Sequence, residues 1–492
     1  MLYIFAMLDA LAHYWPHILA AISLVTGTLG AVHAAMTKED VRSAIGWVGV
    51  IVLSPLVGAA IYLIAGINRI RRASILQHHL IQTETGRPAF EGFHVEPAMI
   101  AQTYGNRFSA LKTLGDRVTK SRLVAGNAID LLGTGDEAYA AIRQAIEGAE
   151  RSILLETYIF DRDRIGLRIA SALVAAVRRG VTVRVLVDAV GARYSVPSIL
   201  GHLRKRGVTV DVFNGNVIMG LRLPYANLRT HRKIIVVDGA VAFTGGMNIR
   251  EGFAREFAGE LTGRDTHFRL RGPVVADLFA VAAEDWRFAS GEALNDACWT
   301  IAEPACPPGE GVLMRVVASG PDRNLETNHK MLMGAFSVAR RSIRIMSPYF
   351  LPDRELISAL ITAARRGVEV DIVVPAKNNL TLVDHAMTGQ FDQLLKHYCR
   401  IWRAEGNFDH SKLLSVDGCW AYVGSSNLDP RSLRLNFEVD IEVLDTTFST
   451  EIEMRIGRAL AGARAVTLEG LRSRPFPLRL IDRILWLGSP YL

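Results

Sequence analysis

The chain has 492 residues, half of them apolar, which excludes a disordered chain and leaves room for two core-bearing units. A formal net charge of +7 suits an anionic partner, yet it is equally ordinary for a membrane protein with basic flanks. Four cysteines, Cys298, Cys306, Cys399 and Cys419, form no CxxC pair, which argues against a zinc site and against a disulfide framework.

The first elements in the chain are two uncharged runs, 17–36 and 43–67, separated by the polar turn Thr37 to Arg42. Each is long enough to cross a bilayer core as a helix, so residues 1–72 are expected to form a transmembrane helical hairpin. No basic region precedes the first run, which sets a cleaved signal peptide aside. Trp15 and Trp47 lie near the run ends, and Arg69, Arg71 and Arg72 follow the second run. This basic cluster places the main body on the cytoplasmic side of a bacterial inner membrane, although Lys38 and Arg42 in the turn count the other way. Residues 73–125 read as a connecting segment.

Beyond residue 126 the text repeats itself. RSILLETYIFDRD, Arg151 to Asp163, recurs as RSIRIMSPYFLPD, Arg341 to Asp353. Each copy continues into an apolar-periodic helix that stops at Gly180 or Gly367, then into a β-branched run. Strand, helix, strand is the expected order in both copies. The fold class is therefore α/β, with two repeated α/β/α lobes of mixed sheet at 126–290 and 312–492. Pro, Gly and acidic residues over 291–311 mark the connection.

Each lobe also carries one reactive signature. The first is THRKIIVVDGAVAFTGGMN, with His231, Lys233, Asp238 and Asn248; the second is DHSKLLSVDGCWAYVGSSN, with His410, Lys412, Asp417 and Asn427. In an extended strand the histidine and the lysine two residues on share a face. Asp-Gly closes a hairpin whose return strand brings the asparagine back beside them. Two lysine–asparagine pairs can surround a phosphodiester with positive charge and donors. One histidine can then act as nucleophile, while the other protonates the leaving alkoxide and deprotonates the incoming alcohol or water. That chemistry calls for no metal or other cofactor. Asp265 and Glu438, each opening an alternating strand after its own lobe's motif, are candidates to orient the imidazoles. Asp238 and Asp417 belong to the signature, but at an Asp-Gly turn they are expected to shape the hairpin.

HxKxxxxD followed by a Gly/Ser turn and asparagine, present twice, resembles the phospholipase D superfamily from about Gly126 to the C-terminus. LETYIFDRDRIG, GGMNI, SPYFLPD and GSSNLDPRSLRLNFE are more specifically similar to the bacterial cardiolipin synthases. That resemblance implies one metal-free site with a phosphohistidine intermediate, His231 the nucleophile and His410 the general acid and base. It also implies transfer of a phosphatidyl group between two phosphatidylglycerol molecules, with release of glycerol. Thr230 where asparagine is expected, and GFAREFAG after the first motif, depart from the family pattern. The alternatives are a hydrolase or another phosphatidyltransferase on the same fold. A nucleic-acid phosphodiesterase is disfavoured because no basic stripe with interleaved aromatics is present. The implied partners are anionic phospholipid and the bilayer, and the oligomeric state is not legible. Leu471 to Leu492 suits either an interfacial helix against anionic lipid or a terminal helix packed on the body.

Overall fold

A computed structural model describes residues 2–38, 41–66, 90–119, 121–214, 229–321 and 326–489; the cluster Arg69, Arg71 and Arg72 lies outside them. The chain divides into one unit built on Met1–Glu84 and another on Thr85–Asn216 with Leu228–Leu492.

In the first unit, helix α1 (Leu2–Thr37) contains the stretch His13–Thr37, 25 residues with mean hydropathy 1.8, long and apolar enough to cross a membrane. The second apolar run departs from the expected single span. It is divided into α2 (Val41–Leu53) and α3 (Pro55–Ile61), with a π-helical turn at Tyr62–Gly66. Proline has no N–H and restricts the residue before it, and Ser54 accordingly leaves helical geometry at φ −146° and ψ 77°. The pieces nevertheless return to α1, where His33 Nδ1 meets the Tyr62 hydroxyl at 2.8 Å. Among the described residues one helix, not two, has the length and composition of a span.

In the second unit α4 (Asn106–Val118) precedes a first lobe that includes β1 (Val124–Leu132), β2 (Ser152–Thr157), α5 (Arg164–Arg178), β3 (Thr182–Asp188), β4 (Thr209–Phe213), β5 (Arg229–Thr230), β6 (Ile234–Val237), β7 (Val241–Gly245), β8 (His267–Arg271) and α6 (Val274–Ser290). The second lobe follows with β9 (Val312–Ser319), β10 (Ser342–Met346), α7 (Arg354–Arg365), β11 (Glu369–Pro375), α8 (Thr381–Leu395), β12 (Arg400–Ala404), β13 (Leu413–Val416), β14 (Trp420–Gly424), β15 (Asn436–Leu444), α9 (Thr446–Ala461), β16 (Ala463–Ala465) and α10 (Phe476–Leu487).

The duplicated strand–helix–strand units form as their sequences predict. Asp163 caps α5 by accepting from Gly166 N at 2.8 Å, and Asp353 caps α7 by accepting from Leu356 N at 3.0 Å. Both helices end before a glycine in the left-handed region, Gly180 at φ +92° and Gly367 at φ +91°. The strands that follow run parallel to the strands that precede, β2 with β3 and β10 with β11.

The lobes do not keep separate sheets. The strand order is β16-β12-β11-β10-β13-β14-β15-β9-β1-β8-β7-β6-β2-β3-β4, so β9 and β1 pair antiparallel and make one continuous mixed sheet. Outward from that junction the two halves repeat each other, with β15, β14, β13, β10 and β11 answering β8, β7, β6, β2 and β3. Each lobe has its own outer core, whereas a third core gathers residues of both lobes against α6 and α9. Phe268 of β8 meets Phe448 of α9 edge to face at 6.0 Å, an interlobe pair worth about 1 kcal/mol beyond its burial. The connection 291–311 packs on the first lobe, where Ser152 Oγ donates to the Cys298 carbonyl at 2.7 Å.

Both Asp-Gly turns have positive φ at both central residues, Asp238 at +52° with Gly239 at +61°, and Asp417 at +55° with Gly418 at +66°. This is the hairpin turn whose twist suits flanking strands. The carboxylates point away from the hairpin into the start of the repeat. Asp238 accepts from the N–H groups of Glu150, Arg151 and Ser152, and Asp417 accepts from those of Arg340, Arg341 and Ser342 and from the Arg107 guanidinium of α4. Burial pushes the Asp417 carboxyl up, but the N–H groups of Ser342 and Arg341 and the Arg107 guanidinium outweigh it, and the group sits below the usual carboxylate range. Asp417→Ala is expected to cost roughly 3 kcal/mol or more, because several donors lose their acceptor together. Thermal unfolding should show the loss near neutrality, and the gap from the parent should close as the pH falls below the ordinary carboxylate range, where the stabilisation by the ionised group disappears.

Candidate active site

The two signatures converge on one cavity of about 850 Å³ between the lobes, lined by His231, Asn248, His410 and Asn427 together with the two repeat tyrosines, Tyr158 and Tyr349. The histidine–lysine segments sit just ahead of strands β6 and β13 rather than within them. Each is held extended by the opposite lobe. His231 N donates to the Phe437 carbonyl at 2.8 Å and β5 pairs parallel with the start of β15. On the other side, His410 N donates to the Arg264 carbonyl at 2.7 Å.

The side chains repeat this exchange. His231 Nδ1 lies 2.9 Å from Glu438 Oε2, and His410 Nδ1 lies 2.8 Å from Asp265 Oδ2. Each imidazole is thus oriented by the acidic residue of the other lobe, not by the one that follows its own motif. With Nδ1 donating to a carboxylate, Nε2 keeps its lone pair for chemistry. The ring edges are walled symmetrically: Tyr158 packs on His231 with centroids 5.3 Å apart and Tyr349 on His410 at 6.0 Å.

Lys233 Nζ donates to the His231 carbonyl at 2.6 Å, and Lys412 makes the matching bond to the His410 carbonyl. Burial pushes Lys233 down to about 7 and Lys412 down to about 8, against the pull of Glu438 and Asp265. Burial first, and then the two lysine charges, lower both histidines, His410 to about 4 and His231 well below its usual value. Burial and the lysine charges therefore favour neutral imidazoles. A bound phosphodiester anion reverses the balance, restoring the ammonium charge and easing protonation of one imidazole. Asn248 Oδ1 accepts from Ile159 N at 3.2 Å, which fixes its amide at the cavity wall, and Asn427 Nδ2 reaches Ser432 Oγ at 3.4 Å.

Of the residues singled out in the sequence, the structure brings eight together: His231, Lys233, Asn248, Asp265, His410, Lys412, Asn427 and Glu438. Asp238 and Asp417 stand apart at the hairpin turns, so their place in the signature is architectural. Sequence reasoning missed Tyr158 and Tyr349, although each repeat segment carries one tyrosine just after its strand, Tyr158 after Thr157 and Tyr349 after Ser347 and Pro348. It also missed Ser425, whose hydroxyl donates to Glu438 Oε2 at 2.6 Å. Thr230 has a local account: its N–H donates to Asp188 at 3.1 Å and its hydroxyl to the buried Glu156, whose carboxyl burial holds well above the usual range. Among the described residues one group has metal-ligand spacing, His329, Asp353 and Glu355; Asp353 there caps α7 and pairs with His329.

Comparison with known proteins agrees with this geometry. The family model described as cardiolipin synthase, phospholipase D-like domain, matches residues 142–256 and 332–459. A cardiolipin synthase of Alkalihalophilus pseudofirmus is 33% identical over 91% of this chain and 88% of its own length. Cardiolipin synthase A of Pseudomonas fluorescens is 31% identical over 98% of this chain and 100% of its own length, and that of Pseudomonas aeruginosa is 33% identical over 95% and 94%. In fold, the crystal structure of phosphatidylserine synthase from Haemophilus influenzae superposes with a TM-score of 0.58 at 17% identity, covering 78% of this chain and all of that one. The chain belongs to the cardiolipin synthase family of phospholipase D-like proteins.

Proposed function

We propose that this chain makes cardiolipin by moving a phosphatidyl group from one phosphatidylglycerol to the hydroxyl of a second, releasing glycerol. The observation that carries the reading is the pair of imidazoles, each locked through Nδ1 onto a buried carboxylate, at one cavity flanked by two lysines. His231 Nε2 attacks phosphorus and a P–N bond forms as the P–O bond to glycerol breaks, with His410, protonated on Nε2 once the diester anion is bound, giving that proton to the departing oxygen. The hydroxyl of the second lipid then yields its proton to His410 as its oxygen attacks phosphorus and the P–N bond breaks. Lys233, Lys412, Asn248 and Asn427 stabilise the charge on the non-bridging oxygens in both steps. Glu438 and Asp265 hold the rings and stabilise the imidazolium when it forms.

The same reading makes residues 1–72 a membrane anchor, residues 126–290 and 312–492 the two lobes, and the inner membrane of a bacterium the location, with the catalytic body on the cytoplasmic side. The apolar α1 supports membrane association, and the basic cluster after residue 67 supports that orientation.

With labelled phosphatidylglycerol in vesicles, the parent chain is expected to yield cardiolipin and glycerol. His231→Ala and His410→Ala should each lower the rate roughly 10²-fold or more. Phosphatidic acid as the main product would overturn transfer in favour of hydrolysis.

A donor with a p-nitrophenol leaving group separates the two half-sites, because that group departs without a proton. It should restore release of the leaving group in His410→Ala and Asp265→Asn, and fail to do so in His231→Ala and Glu438→Gln. The opposite grouping, Asp265 with His231, would contradict the interlobe exchange.

The lysines give the pH profile its alkaline limb. Free-enzyme kcat/KM is expected to fall as the pH rises through about 7 to 8, where Lys233 and Lys412 lose the charge that attracts the diester. In kcat the same limb should lie at higher pH, because bound substrate holds the protons on.

A further inference from the structure

The C-terminal helix α10 is fastened to the body by one side only. Leu485 and Trp486 join the second-lobe core, and the buried Asp482 carboxylate binds His385 Nδ1 of α8 at 2.7 Å and Arg474 at 2.6 Å. Gly389 of α8 admits the α10 backbone, since a Cβ there would lie 2.5 Å from the Asp482 carbonyl oxygen. On the opposite side Phe476, Leu480, Ile484 and Leu487 form a stripe at helical spacing and are 68%, 47%, 56% and 72% exposed.

Beside the stripe is a cavity of about 340 Å³ whose lining includes five basic side chains, Lys396, Arg472, Arg474, Arg479 and Arg483, against two carboxylates, Asp392 and Asp482. Those carboxylates already hold Lys396, Arg474 and Arg483. Arg472 and Arg479 pair with no carboxylate among the described residues; Arg479 reaches only the Arg472 carbonyl, at 3.1 Å.

We infer that α10 is a second bilayer contact, lying in the interface of an anionic membrane with its stripe in the acyl boundary and Arg472 and Arg479 against lipid phosphates. An exposed apolar helix face bordered by uncompensated arginines matches that occupant in shape and in charge. The support for α10 also explains its use. Helix α8, roughly 22 Å long at 1.5 Å per residue, carries α10 along its body, while Leu380 and Val383 at its start line the catalytic cavity. Leu380 and Leu382 there are 46% and 57% exposed. Docking α10 therefore fixes one wall of the cavity mouth at the surface from which lipid is drawn, a use that rests on the function proposed above.

The docking itself is tested without turnover. The full chain is reconstituted in vesicles of phosphatidylcholine with phosphatidylserine, which is anionic but not the proposed donor, and a benzophenone amino acid is placed at Ile484 or, as control, at the exposed Met454 of α9. Irradiation should label lipid from position 484 and not from 454. Arg472→Gln with Arg479→Gln should lower labelling in anionic vesicles by about fivefold per charge and leave pure phosphatidylcholine vesicles unaffected. Protein–protein adducts from 484, which would make the face a contact between copies, overturn the inference. So does equal labelling from both positions, or no lipid adduct in any vesicle.

Discussion

Each signature histidine is held by a carboxylate of the other lobe, and the whole arrangement follows from that exchange. An imidazole whose Nδ1 is committed to a buried carboxylate cannot turn, so the direction of its Nε2 is set by how the lobes meet. The backbone repeats the constraint through His231 N to Phe437 O and His410 N to Arg264 O. Neither lobe contains a finished half-site. Pairing of β1 with β9, and the shared core under α6 and α9, therefore belong to the chemistry as much as to stability.

Burying this many charges is costly unless they compensate each other closely. Lys233 and Lys412 are opposed by Glu438 and Asp265, all four buried, and removal of one partner leaves the other uncompensated at a cost of several kcal/mol. The compensation is incomplete: burial still pulls both lysines toward neutrality. An incoming phosphodiester anion supplies the missing charge. Binding and activation are then one electrostatic event, because the charge that recharges the lysines also makes an imidazolium easier to form.

Local chemistry was the legible part of this structure. The helix stops at Gly180 and Gly367, the Asp-Gly hairpins and the strand–helix–strand repeats all follow from residue-level rules, and they appear where those rules put them. The identity of the orienting acids was legible too, since each opens an alternating strand after a motif, but their assignment was not. Sequence order places Asp265 after His231, whereas only the interlobe pseudo-symmetry hands it to His410. Fusion of two expected sheets into one has the same origin, since an edge strand's partner is not written in the strand itself. The break at Pro55 was passed over in reading 43–67 as one span, because the run carries no charge, and the structure gives the proline precedence. The close approach at Gly389 needed knowledge of which helix lies across it.

The two half-sites are not equivalent, and the difference bears on which histidine does what. In the first lobe the position before the Met–Asn pair is Gly246, where a Cβ would lie 2.4 Å from Asp265 Oδ1. Its counterpart, Ser425, donates a hydroxyl proton to Glu438 Oε2. Burial raises the Glu438 carboxyl, whereas around Asp265 the His410 and Lys412 charges and the Thr266 N–H overcome burial and hold the carboxyl low. His410 therefore faces the more firmly ionised partner. A proton resides more readily on His410 than on His231. That asymmetry supports His410 as the group that carries the proton between leaving and entering oxygens, and it leaves His231 as the nucleophile.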